Sequence, residues 1–109
     1  MARGLKRGDV YLHRFGAPNK RRPVVVLSRQ EAIEVLREVT VAPVTSTIRD
    51  IPSEVVLDVE QGMKGPCAVN LDHVQTVKQS DLRTYVTTLD TSVMADVCRA
   101  LAIATGCES

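Results

Sequence analysis

The sequence predicts a mostly β, α+β fold: a small antiparallel barrel with one helix at its C-terminal end. From Gly8 to Leu89 the chain breaks into short apolar runs divided by turn residues, the signature of a small curled sheet. After Leu89 the apolar spacing changes from two to three and four, the period of a helix. Hydrophobic residues make up 44% of the 109 positions and aromatics only 3%, with no Trp, so the core must be aliphatic. That balance excludes a disordered chain. It also excludes recognition through a platform of stacked aromatics. The length leaves room for one domain, residues 1–109.

Taken in order, Gly8-Asp9-Val10-Tyr11-Leu12-His13-Arg14 alternates apolar and polar residues and reads as a half-buried strand. Phe15 to Arg22 reads as a loop on account of Gly16, Pro18 and Asn19. Pro23-Val24-Val25-Val26-Leu27-Ser28 is β-branched and apolar on both faces, a fully buried strand with Pro23 at its start. Arg29 to Arg37 is a helical turn or a long excursion. Val39 to Val44 is the next strand, and Pro43 places its end at an edge or a bulge. Ser53 to Asp58 and Cys67 to Leu71 are strands flanking a turn-rich link at Gln61–Pro66. Val74 to Val77 continues the second of these or pairs beside it. Lys78 to Leu82 is one helical turn, and Tyr85 to Leu89 closes the sheet. Val93, Met94, Val97, Leu101 and Ala104 form the helical stripe, which Asp90 or Thr91 caps and Gly106 ends. Cys98 falls within this stripe and reads as a small core residue, while Cys107 reads as exposed.

The net charge of +1 conceals an asymmetry. Residues 1–37 hold nine bases against three acids, a surplus of six, so the remainder is acidic. A basic first third can follow a phosphate backbone, or it can simply be a solvated surface. Cys67, Cys98 and Cys107 form no CxxC and no Cys–His zinc pattern, which predicts reduced thiols in the cytoplasm and no metal site. The chain opens with no apolar run and contains no stretch of about 18 apolar residues, so neither a signal peptide nor a membrane span is expected.

Two segments stand out chemically. Lys20-Arg21-Arg22-Pro23 enters the buried strand, and the fixed proline backbone gives Arg22 a defined exit point from which to grip phosphate. Val41-Ala42-Pro43-Val44-Thr45-Ser46-Thr47 ends a strand in three hydroxyls, which can donate to phosphate oxygens or merely terminate the strand through local bonds. On neighbouring strand ends, the arginine and the hydroxyls would make a phosphodiester site.

Arg7-Gly8-Asp9-Val10-Tyr11, the Arg22–Ser28 and Val41–Thr47 segments, and Leu71-Asp72-His73-Val74-Gln75-Thr76-Val77 resemble, in that order and over almost the whole chain, the MazF/PemK family of toxin endoribonucleases (mRNA interferases). The resemblance implies an SH3-like, CcdB/MazF-like barrel with a C-terminal helix, acting as a homodimer of the cytoplasm. Its helix residue Ile103 is a candidate dimer contact. It implies sequence-specific cleavage of single-stranded RNA, mRNA above all and tRNA or rRNA as further targets, without metal or other cofactor. The partner implied is a cognate antitoxin with an extended acidic tail. In this reading the 2′-hydroxyl attacks the adjacent phosphorus, leaving 2′,3′-cyclic phosphate and 5′-hydroxyl ends. Arg22 takes the place of the family's catalytic arginine and Thr45 that of the hydroxyl on the scissile phosphate, with Ser46 beside it. Lys20, Arg21, Thr47, Arg49, His73 and Gln75 would contact the RNA.

The chain also departs from the family pattern. The loop Gly16–Arg21 lacks the carboxylate or amide that many relatives carry there. His73 stands where a glutamine is usual and Gln75 where an arginine is usual, which should change the bases read. His73 reads either as the missing base or as an inert exposed strand histidine. Two rival readings exist. A CcdB-like gyrase-binding toxin typically ends its helix in an aromatic residue, whereas this chain ends Thr105-Gly106-Cys107-Glu108-Ser109. A non-catalytic SH3-like binding module needs an aromatic groove, and three aromatics are too few.

Overall fold

The β-branched run that ends at Val26 lies at the heart of the sheet in the computed structural model, which describes residues 4–15 and 20–107. The strands are β1 (Asp9–Phe15), β2 (Lys20–Val26), β3 (Glu38–Thr45), β4 (Glu54–Leu57), β5 (Cys67–Asn70), β6 (Gln75–Lys78) and β7 (Thr84–Thr88). Among the described residues two helices, α1 (Gln30–Val35) and α2 (Thr91–Thr105), accompany the sheet, with short 3-10 turns at Val59–Gln61, Leu71–His73 and Gln79–Asp81. Every ladder is antiparallel, and the strand order is β4-β5-β3-β2-β1-β7, with β6 also on β3. No ladder among the described residues joins β4 to β7, so the predicted barrel is a curled half-barrel.

The turn after β4 spans that seam. Gly62 has φ +93°, and a Cβ there would lie 2.4 Å from Thr87 Oγ1 and 2.7 Å from Thr87 Cβ on β7. Only a residue without a side chain lets the turn sit on the far edge strand.

Val24 to Val26 are buried on both faces, as the unbroken apolar run predicts. Val25 joins a cluster with Val10, Val44, Leu57, Val69 and Leu71, which the α2 residues Met94, Val97 and Ala100 cover. Val24 and Val26 join a second cluster with Tyr11, Val39, Val41 and the α1 residue Ile33.

Arg7-Gly8-Asp9 turns out to be architecture. Gly8 has φ +92°, donates its N–H to the Val26 carbonyl (2.9 Å) and accepts from Leu89 N–H (3.0 Å). Asp9 is fully buried, its carboxylate accepting from Lys6 N–H (2.9 Å) and the Thr88 hydroxyl (2.8 Å). Arg7 Nε donates to the Leu27 carbonyl at 3.2 Å. This motif ties the N-terminal turn to β2 and β7.

Several expectations need correction. Lys20 to Arg22 belong to β2, not to the loop, paired in register with Phe15, Arg14 and His13 of β1. Pro23 is therefore inside the strand. It is tolerated because the β2–β3 ladder ends at Val24, so no bond is lost on that side. The predicted turn residues Gly16, Pro18 and Asn19 lie outside the described residues, as do Glu108 and Ser109 of the tail. β6 pairs with β3, Glu38–Val41 opposite Gln75–Lys78, rather than with β5, because the 3-10 turn at Leu71–His73 redirects the chain between them. Cys98 is exposed, since it follows Val97 around the helix and turns out of the stripe towards Arg7, whose Nη2 donates to its Sγ (3.0 Å). Asp90 rather than Thr91 caps α2, accepting from Val93 N–H at 2.9 Å. No helix among the described residues is long and apolar enough to cross a membrane.

Candidate RNA-cleavage site

The site grows out of β3 changing partners. Its first half pairs with β6 up to Val41 and its end pairs with β5 from Val44, leaving Pro43 in the gap between the two ladders. A residue without an N–H suits that gap, since no ladder bond is demanded of it. The Leu71–His73 turn links β5 to β6 beside the gap and carries His73 to it. On the other flank, β2 pairs with β3 only over Val24–Val26. Beyond Val24 and Pro43 the two strands part, Arg22 lying two residues further out on β2 and Thr45 two residues further out on β3.

Arg22 is half-buried, opposite His13 of β1, and lines a notch of about 300 Å³ with Lys20, Pro43, His73 and Gln75. Four of the predicted residues therefore come together here: Arg22, Lys20, His73 and Gln75. The notch is rich in hydrogen-bond donors and positive charge, the complement of a phosphodiester.

Thr45 and Ser46 line a second hollow of about 500 Å³, with Arg21, Pro23, Met63 and Lys64 among its walls. Thr45 Oγ1 accepts from Thr47 N–H at 3.1 Å, a local bond that orients the hydroxyl and shapes the strand end. The arginine sharing a hollow with the hydroxyls is thus Arg21, while its neighbour Arg22 lines the notch with His73. Arg21 Nη2 also donates to Thr84 Oγ1 (3.0 Å), and Arg21 lines a third hollow of about 410 Å³ with Arg14 and Arg83. Arg14 stands directly across from Arg21 in the β1–β2 hairpin, two like charges side by side.

Thr47 is exposed and lines none of these hollows. Arg49 lines none either. It sits beside Glu54, its backbone N–H donating to Oε1 (3.0 Å) and its Nη1 lying 3.9 Å from Oε2.

The 3-10 turn that carries His73 is braced. Ser53 Oγ donates to Asp72 Oδ2 (2.5 Å), Leu71 N–H donates to the Ser53 carbonyl (3.0 Å), and Asn70 Oδ1 accepts from Asp72 N–H (3.0 Å). Sequence reasoning missed Asn70. The signal was an Asn two residues before an Asp at a strand end, a side-chain cap on the turn that follows. It also missed Arg14 and Arg83, which only the hairpin register and the β7 approach bring beside Arg21. Among the described residues no group of three or more His, Cys, Asp or Glu side chains could hold a metal ion.

Comparison with known proteins places this geometry. The family model for PemK-like, MazF-like toxins of type II toxin–antitoxin systems matches residues 6–105. A probable endoribonuclease, MazF5 of Mycobacterium tuberculosis, is 46% identical over 88 residues, 80% of this chain and 81% of that protein. Among solved structures, the M. tuberculosis toxin MazF-mt6 superposes with a TM-score of 0.81 at 31% identity, covering 90% of this chain and 96% of that one. A mycobacterial endoribonuclease in complex with its cognate antitoxin reaches a TM-score of 0.87 at 26% identity, over 96% of this chain and 98% of that one. The chain belongs to the PemK-like, MazF-like toxins of type II toxin–antitoxin systems.

Proposed function

We propose that the chain is the toxin endoribonuclease of such a system, cutting single-stranded RNA at specific sequences without a metal. The observation that carries this is the donor-lined notch, where Arg22 stands with Lys20, His73 and Gln75 at the β2–β3 fork. The RNA strand lies across the fork, its scissile phosphate between Arg22 on one side and Thr45 with Ser46 on the other. The 2′-oxygen forms a bond to phosphorus as the bond to the 5′-oxygen breaks. The 2′-hydroxyl loses its proton and the departing 5′-oxygen gains one, giving 2′,3′-cyclic phosphate and 5′-hydroxyl ends. Arg22, charged at every working pH, neutralises the charge that grows on the phosphoryl oxygens, and the Thr45 hydroxyl donates to one of them. Arg21 and Lys20 hold flanking phosphates. Thr47 lies beside the Thr45 hydroxyl at the strand end, whereas Arg49 serves the loop through Glu54.

The toxin works in the cytoplasm as a homodimer, which repeats the basic fork on one surface and lengthens the RNA track. Its partner is an antitoxin whose extended acidic tail lies along that track, as charge complementarity demands. The test is incubation of the purified chain with long single-stranded RNA in EDTA, with cut sites and end groups mapped. Discrete cuts with cyclic phosphate ends are expected, slowed about 10²-fold or more in Arg22→Ala and absent with a DNA strand. Cutting that Arg22→Ala retains would overturn the assignment of the notch.

A further inference from the structure

We infer that Asn70 is a positioning residue: it fixes His73 as a hydrogen-bond donor, and this makes the notch select a nucleobase with a keto oxygen at one position of the cut site. The inference rests on the nuclease reading above. The Asn70 side chain is buried at the end of β5, and its orientation is settled by the backbone, because Oδ1 accepts from Asp72 N–H at 3.0 Å. The NH2 end of the amide therefore faces His73 Nδ1, 3.2 Å away. A ring nitrogen that receives a hydrogen bond carries no proton, so neutral His73 holds its proton on Nε2. With Nδ1 engaged on the turn, Nε2–H is the polar edge left for the notch.

Two consequences follow. Neutral His73 has no lone pair left on Nε2, so it does not serve as the base for the 2′-hydroxyl. And the notch becomes one-sided: Lys20, Arg22 and His73 all present donors, and among these side chains only Gln75 can also accept. A base edge with an oxygen at pyrimidine C4 or purine C6, as in uracil or guanine, satisfies such a wall. The exocyclic amino group of cytosine or adenine would face donors and leave them unpaired.

The cap alone would explain a buried asparagine, so the test separates the two roles. Asn70→Asp keeps an oxygen for Asp72 N–H but replaces the donor to His73 with an acceptor. The nitrogen shifts of the two histidine side chains, read by long-range 15N–1H correlation on the full chain without RNA, report the tautomer directly. They are followed up a pH series to the plateau where they no longer change, and assigned from the spectrum of His73→Gln. The wild type is expected to carry the proton on Nε2 and Asn70→Asp to carry it on Nδ1. Cut-site mapping on a randomised RNA should show a keto preference at one position in the wild type. That preference should fall by about tenfold, one hydrogen bond's worth, in Asn70→Asp and in His73→Gln. A wild-type proton on Nδ1 overturns the inference, and so does a base preference unchanged in a variant whose tautomer has switched. If the wild type cuts no RNA, the nuclease reading fails and the base contact with it, while the nitrogen shifts still decide the tautomer on their own.

Discussion

Replacing Gly62 with alanine tests how the half-barrel is held shut. The cost has two parts that can be measured apart. A φ of +93° places an L-residue in left-handed backbone, worth about 1–2 kcal/mol. The new Cβ would also lie 2.4 Å from Thr87 Oγ1, 2.7 Å from its Cβ and 3.2 Å from its Cγ2, and relieving such an overlap costs about 1–3 kcal/mol. Gly62→Ala should therefore destabilise by about 2–5 kcal/mol in urea unfolding, a large share of a small domain's total. The contact part belongs to a pair, so a double-mutant cycle isolates it. Thr87→Gly removes all three clashing atoms and should recover about 1–3 kcal/mol of the Gly62→Ala loss, although a strand glycine costs about 0.5–1 kcal/mol by itself. Thr87→Ala leaves the Cβ at 2.7 Å and should recover much less. Additive behaviour of Gly62→Ala with Thr87→Gly would refute the claim that the turn seals the seam by direct contact with β7.

Further predictions concern the site and its supports. Arg22→Ala should lower RNA cleavage about 10²–10³-fold, the size of losing one preorganised donor to a developing oxyanion, with unfolding stability within about 0.5 kcal/mol of wild type. Arg22→Lys keeps the charge but not the forked geometry and should recover only part of the rate. Cys67 should react with a thiol reagent far more slowly than Cys98 and Cys107, because burial, with the Asp58 charge in support, pushes its thiol pKa up, whereas the other two are exposed; equal rates for all three would contradict the packing. Asp90 is held below the usual carboxylate range, first by the Val93 N–H and then by the Ser92 hydroxyl. A lowered native pKa means its contribution is present above the ordinary carboxylate range and fades as pH falls through the native value. The stability gap between wild type and Asp90→Ala should accordingly close as pH drops through that range, as thermal melts can follow.

Local pattern carried much of the fold. The two-sided apolar run at Val24–Val26, the helical stripe from Val93 to Ala104 and the capping residues Asp90 and Gly106 are written in consecutive residues, so periodicity reaches them. What it could not reach was pairing. Whether Val74–Val77 lies against β5 or β3 depends on a three-residue turn, and the signal for that turn, Asn70 before Asp72, is a cap and not an apolar period. The residues singled out for the site are grouped by the structure in a way their order along the chain does not show. Arg22 and Thr45 do flank one fork, yet Arg21 alternates to the hydroxyl side and Arg22 to the histidine side, because neighbours on a strand point to opposite faces. The contact of Arg49 with Glu54 of β4 is likewise a matter of chain return that charge alone does not reveal.

Pro43 bears on what kinds of molecule can lie in the notch. A strand that trades one neighbour for another leaves a stretch of main chain facing outwards, and such a stretch ordinarily invites an extended peptide to dock by main-chain bonding. Proline withholds the amide hydrogen there, so a visiting polypeptide finds no donor at the floor of the notch. The donors that line it are therefore side chains, those of Lys20, Arg22, His73 and Gln75. A single ring closure in the backbone thus leaves a would-be adhesive edge without the amide hydrogen that strand addition would use at this position.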